Sequence, residues 1–118
     1  MNNISFCANP KDFPAIKKAC DSLYDKVSLH QEHSQPVDIA ELNGKAYISS
    51  FQNDGKPVLK VKLTDKNGIE SYTFIETKSL KNCQEFLKSK NALTVISDII
   101  ESLKSSVKRA SKNESYLG

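Results

Sequence analysis

The sequence predicts an α+β fold: a four-stranded antiparallel β-meander flanked by an N-terminal helix and two C-terminal helices packed on one face. Three observations carry this expectation. Residues 37–76 read as four short runs separated by Asn43-Gly44, Asn53-Asp54-Gly55 and Asp65-Lys66-Asn67-Gly68, which are turn-forming clusters at hairpin spacing. Within the third run Leu59, Val61 and Leu63 alternate with Lys60 and Lys62, as a strand with one buried and one wet face requires. On both sides of the meander apolar residues instead recur at three- and four-residue steps, the period of a helix.

Taken in order, Ile4 to Phe6 alternate as a short edge strand or packed arm would, and Asn9-Pro10 marks a turn. Asp12 is placed to cap the first helix, with Pro14 in the first turn, where a missing N–H costs nothing. That helix is expected over residues 13–30, with Phe13, Ile16, Cys20, Leu23, Tyr24 and Val27 on its buried stripe. Residues 30–36 (HQEHSQP) are polar, end at a proline and read as a linker.

Val37 and Ile39 open the first expected strand. Asn43-Gly44 is the strongest short hairpin signal, because both residues tolerate the positive φ of a type I′ turn. The second strand is expected over 45–52, the third over 58–64 and the fourth over 69–76. The fourth carries Tyr72 and Phe74 on one face and Ile69, Thr73 and Ile75 on the other. Apolar on both sides, it is expected to be more covered than the third.

Thr77 or Ser79 caps a short helix over 79–90, with Leu80, Cys83, Phe86 and Leu87 inward and a break at Lys90-Asn91. A last helix is expected over 92–108. Its residues Leu93, Ile96, Ile100, Leu103 and Val107 step 3, 4, 3, 4, a heptad seam that suits either a core or a homodimer. Residues 110–118 are polar and read as a flexible tail. The 118 residues sit near the usual size of one domain, so 1–118 is expected to form a single one.

Composition narrows the function. A net charge of +3 with acids and bases interleaved is short of the balance of a dedicated nucleic-acid binder. No stretch approaches the roughly 18 apolar residues of a membrane span, and the first ten residues lack the flank of a signal peptide. Three cysteines, Cys7, Cys20 and Cys83, with no CxxC spacing, point to free thiols in a reducing compartment. A cytoplasmic protein is expected, and the richness in Asn, Lys, Ser and Ile suits an AT-rich bacterial genome.

Few residues suggest chemistry. His30 and His33 have no cysteine at ligand spacing and read as solvated, so no metal is expected. Cys83 lies near a helix start, where the dipole lowers a thiol pKa, but it falls on the apolar stripe with Leu80 and Phe86, as Cys20 does on the first helix. The turn glycines Gly44, Gly55 and Gly68 form no phosphate loop. No cofactor and no catalytic residue is assigned. Lys56, Lys60, Lys62 and Lys66 with Tyr47, Phe51 and Tyr72 form a modest basic and aromatic set, of the kind that binds single strands. Lys104, Lys108, Arg109 and Lys112 are explained as complements to a helix C-terminus.

In size, composition and helix–meander–helix layout the chain resembles small regulatory proteins of intracellular bacterial pathogens, such as the inhibitors that silence Legionella ubiquitin-deamidase effectors. That resemblance implies a non-enzymatic cytosolic binder whose partner is an effector enzyme, and it transfers no individual residue.

The expectation is therefore a protein-binding module rather than an enzyme: a stoichiometric inhibitor or regulator of a bacterial effector or toxin-like enzyme, acting by occlusion of its active site. The expected contact residues are Lys45, Tyr47, Asn53, Asp54, Lys60, Lys62 and Tyr72, wet-face and turn positions that a partner can reach. The alternatives are a secretion chaperone, a cysteine-dependent enzyme using Cys83 or Cys7, and a weak single-stranded nucleic-acid binder.

Overall fold

A computed structural model of the chain describes residues 8–39 and 41–117, with side chains through residue 110. The expected 4–6 strand and Cys7 lie outside the described residues. A 3₁₀ turn, Pro10–Asp12, leads into α1 (Phe13–Tyr24). The strands β1 (His33–Val37), β2 (Gly44–Asn53), β3 (Lys56–Asp65) and β4 (Glu70–Glu76) follow, and then α2 (Leu80–Lys88) and α3 (Lys90–Leu117). The strands form one antiparallel sheet in the order β1-β2-β3-β4, so the fold is the α+β meander that the turn spacing predicts.

One face of the sheet meets the helices. Ala46 and Ile48 of β2 and Leu59, Val61 and Leu63 of β3 join Ile16, Cys20 and Leu23 of α1, Cys83 and Leu87 of α2, and Ile96 and Ile100 of α3 in a single buried cluster. The segment before α1 meets α3 where the Asn9 N–H donates to Ser97 Oγ at 2.7 Å.

Local chemistry explains the boundaries. Asp54 (φ 54°) and Gly55 (φ 77°) are both left-handed, so they form the two-residue turn that matches strand twist between β2 and β3. At the next turn Gly68 N–H donates to Asp65 O at 3.1 Å and the Asp65 carboxylate accepts from Asn67 and Ile69 N–H, both at 2.9 Å. Gly68 (φ 84°) supplies the left-handed residue there. Ser79 Oγ caps α2 by accepting from Asn82 N–H at 3.1 Å.

Several expectations are corrected. The first helix ends at Tyr24 rather than near residue 30. Gln52 Nε2 donates to Val27 O at 2.6 Å, holding a turn that keeps Val27 buried. Asp12 makes no side-chain cap bond; Asn9 accepts from Lys11 N–H instead, and Asp12 is buried. The polar stretch read as a linker contains β1, and residues 38–43 connect β1 to β2. Asn43-Gly44 is therefore not a two-residue hairpin turn. Gly44 is not among the positive-φ residues; a Cβ there would overlap the carbonyl oxygen of Thr64 and come 2.7 Å from Asp65 Cα.

β4, expected to be the more covered strand, is the edge, with Tyr72 and Phe74 half-exposed. Leu80 points outward. The break between α2 and α3 falls at Ser89, whose Oγ donates to Phe86 O and accepts from Ala92 N–H. Helix α3 continues through the segment read as a tail, to Leu117, so Lys104, Lys108 and Arg109 lie within it rather than at its terminus. The heptad seam belongs to this chain's own core. Ile96, Ile100, Leu103 and Val107 are buried, and Leu93 is partly buried against them.

Candidate functional site

The face of the sheet turned away from the helices has no covering layer among the described residues. Strand register sets its side chains in rows. One row runs Pro36, Tyr47, Lys62, Tyr72; the next runs Ser34, Ser49, Lys60, Phe74; a third runs Phe51, Val58, Glu76. Lys45, Thr64 and Glu70 form a row at one end. The residues alternate by two along each strand, so the rows follow directly from the pleat.

These side chains hold one another. The Lys62 ammonium lies 5.5 Å from the Tyr47 ring centroid and that of Lys60 5.6 Å from Tyr72, each worth about 0.5–1 kcal/mol at an exposed site. Phe74 meets Phe51 edge-on at 5.9 Å and Tyr72 at 5.4 Å. Lys62 Nζ is 3.6 Å from Glu70 Oε2, which also accepts from Thr64 Oγ1. On β1 and β2 the Ser49 hydroxyl donates to Ser34 Oγ at 3.0 Å. Lys45, Tyr47, Lys62, Thr64, Lys66 and Glu70 line most of a shallow depression of about 540 Å³ at the Lys45 end.

Of the expected contact residues, the structure brings Tyr47, Lys60, Lys62 and Tyr72 together, with Lys45 on the rim of the depression. Asn53 and Asp54 sit at the far end of β2, about 25 Å from Lys45 at the rise of a strand. Phe74 belongs with the central group although sequence reasoning left it out. The signal was there, since it is two residues beyond Tyr72 and therefore shares its face. Phe51 joins the same aromatic ladder. Tyr72 and Phe74 are 54% and 50% exposed, so each leaves about half its surface for a partner.

The other candidate groups are placed differently. Cys20 and Cys83 are buried free thiols. Burial pushes the Cys20 thiol up to about 11, with Asp21 raising it further and Lys17 opposing. Burial also raises Cys83, against a hydrogen bond to Thr77. Neither favours the thiolate a nucleophile needs. His30 is exposed and His33 is half-buried in β1. Among the described residues no three His, Cys, Asp or Glu side chains converge as metal ligands, and no helix is long and apolar enough to cross a membrane.

No family model, curated protein or solved structure matches this chain. The open face stands on its own chemistry: four half-buried or exposed aromatics, basic side chains laid over them, and a carboxylate at each end of the outer strand.

Proposed function

We propose that the chain is a protein-binding module whose contact surface is the open face of the sheet, and that it acts as a stoichiometric inhibitor or regulator of a bacterial effector or toxin-like enzyme. The observation that carries the reading is the Tyr47–Lys62 and Lys60–Tyr72 pairs flanked by the Phe51–Phe74–Tyr72 ladder. Aromatic residues supply contact area at low entropic cost, and lysine stems held over rings have already lost much of their rotamer freedom. Four strands about 4.8 Å apart and five to ten residues long give an area of roughly 500 Å², more than half of the ~800 Å² each partner contributes to a standard interface. A rigid surface of that size is suited to covering an enzyme's cleft without turnover. The burial of Cys20 and Cys83 weighs against a thiol enzyme built on either.

The test is capture of the partner from the producing bacterium, then titration of the purified partner's activity. Inhibition that saturates at equimolar protein supports the reading, as does its loss in Tyr47→Ala/Lys62→Glu with the fold intact. A partner bound equally well by that variant, or no stable partner, refutes it.

A second reading has a specific observation behind it. Lysines and aromatics interleaved on a four-stranded sheet also suit single-stranded nucleic acid. Glu70 and Glu76 on the same face, with a net charge of only +3, weigh against it. Oligonucleotide binding with a steep salt dependence, lost in Lys60→Glu/Lys62→Glu, would favour this second reading.

A further inference from the structure

We infer that the outer edge of β4 accepts an extended partner strand with basic residues at both ends and apolar residues between them. The inference rests on reading the open face as a protein-binding surface, and it states where the partner's backbone engages.

Hydrogen-bond parity fixes which groups are free. The β3–β4 hairpin is closed by Asp65 N–H donating to Ile69 O at 2.9 Å. In an antiparallel pair, bonded and non-bonded positions alternate. Ser71, Thr73 and Ile75 therefore exchange bonds with Leu63, Val61 and Leu59, the residues opposite them. Glu70, Tyr72, Phe74 and Glu76 turn their N–H and C=O groups away from β3. The sheet ends there among the described residues, so these groups form an unpaired ladder beside the half-exposed Tyr72 and Phe74 rings.

The other edge of the sheet is closed to such pairing. The same parity, carried from the Asp54-Gly55 turn across β2, directs the backbone of Ser34 and Pro36 outward. Pro36 has no N–H to give, and β1 has only five residues, both common ways to blunt an edge. β4 is seven residues long with no proline and no lysine.

Charge selects the occupant. If two copies paired along all seven residues about a two-fold axis at Thr73, Glu70 would face the Glu76 of the other copy at both ends. Like charges directly opposite one another are unfavourable, so the edge resists its own copy. The same carboxylates favour a strand carrying Lys or Arg opposite them. Glu76 has no ion-pair partner among the described residues, and Glu70 shares only its Oε2 with Lys62 and Thr64. Opposite Tyr72 and Phe74 the strand takes β-branched or aromatic residues. The pattern is basic-x-apolar-x-apolar-x-basic, which reads the same in either direction. Main-chain bonds supply the affinity and alternate side chains the selectivity, as in other cases of strand addition.

The probe is a blocked peptide with the core Lys-Thr-Val-Thr-Val-Thr-Lys, titrated into the ¹⁵N-labelled full chain. At saturation, amide exchange should slow about tenfold or more at Glu70, Tyr72, Phe74 and Glu76 and stay unchanged at Ser71, Thr73 and Ile75, which are already paired. A peptide with Glu at both ends should bind about tenfold more weakly. The same basic peptide, N-methylated at the amides that would face β4, should not bind. Tyr72→Pro removes one outward donor and no bond to β3, so it should keep the amide spectrum and lose the peptide. The N-methyl control gives a result even if that variant does not fold.

Absence of saturable binding, equal binding of the N-methylated peptide, or self-association that Tyr72→Pro abolishes would each overturn the inference. Failure of the peptide with partner capture still sensitive to Tyr47→Ala/Lys62→Glu would remove the β4 edge and leave the open-face reading standing. Capture lost with Tyr72→Pro but kept by Tyr72→Ala and by Tyr47→Ala/Lys62→Glu would do the reverse.

Discussion

Replacing Ile100 by alanine tests the assignment of the α3 stripe to the core. Ile100 is completely buried, within a cluster shared by α1, α2, α3 and the sheet. The substitution deletes three carbons, worth about 2.4 kcal/mol of transfer free energy at ~0.8 kcal/mol each. The cavity left in a packed layer adds to this, so the expected loss is about 3 to 4 kcal/mol, a large share of the ~5–15 kcal/mol of a typical domain. Phe74→Thr is the matched control on the open face. Phe74 is half-exposed and touches Phe51 and Tyr72 edge-on, so its loss should be only about 1 kcal/mol. The assay is urea unfolding followed by far-UV circular dichroism, suitable for a chain without tryptophan. The slope should be unchanged and the loss equal at low and high protein concentration. A loss under about 1 kcal/mol for Ile100→Ala, or one that depends on concentration, would mean that the stripe faces another molecule.

Three further outcomes follow from local geometry. Gly44→Ala should cost about 2 to 4 kcal/mol, because the new methyl would overlap the Thr64 backbone. Gly55→Ala should cost about 1 to 2 kcal/mol, since its site is open and only its positive φ is strained; equal losses in urea unfolding would refute the distinction. Asp12→Asn should raise the Tm at pH 7. Burial raises the Asp12 pKa, Lys104 offsets part of this, and Glu101 and Glu41 add to it, while Oδ2 has no hydrogen-bond partner among the described residues. The native state thus holds that proton more tightly than the unfolded chain. Its stabilising share is full below the ordinary pKa of 3.8 and lost as pH rises through the native value. The gap between variant and parent should therefore close in acid, and a gap that widened there would contradict the assignment. Cys20 works in the same direction at high pH. Stability should fall as pH rises from 9.0 to about 11, by roughly 2 to 3 kcal/mol, and Cys20→Ala should lack that component of the decline in pH-dependent denaturation.

How much was legible in the sequence depended on whether a residue's role was local. β3 was clear because Leu59, Val61 and Leu63 alternate strictly with lysines, and because a central strand has no other way to bury one face. The α3 stripe was equally clear as a helix, but periodicity does not say whether an apolar seam meets the same chain or another. β1 was hidden. His33 to Val37 contains one buried apolar residue, and the strand exists because Ser34 meets Ser49 and the backbone meets β2, both long-range facts. β4 misled for the opposite reason: Tyr72 and Phe74 have the pattern of burial, yet they lie on an edge that no described residue covers. Gly44 has a turn-like neighbour in Asn43 and was read by its φ freedom, whereas its missing side chain is what the site requires. On the candidate face, Lys60, Lys62, Tyr47 and Tyr72 were recoverable from alternation alone. Their grouping into rows needed the register, and the exclusion of Asn53 and Asp54 from the central group needed the length of β2.

The order β1-β2-β3-β4 also bears on how the chain assembles in time. Among the described residues each strand pairs with its neighbours in sequence, and hairpins of this kind close in about 1–10 μs. These pairings can therefore form before Asn9 meets Ser97. The contact between Asn9 and Ser97 spans 88 residues, and so large a loop closes only once the intervening meander has shortened the path between its ends. The Asn9–Ser97 contact is thus expected to close after the meander has paired. A contact formed that late should slow unfolding more than it speeds folding.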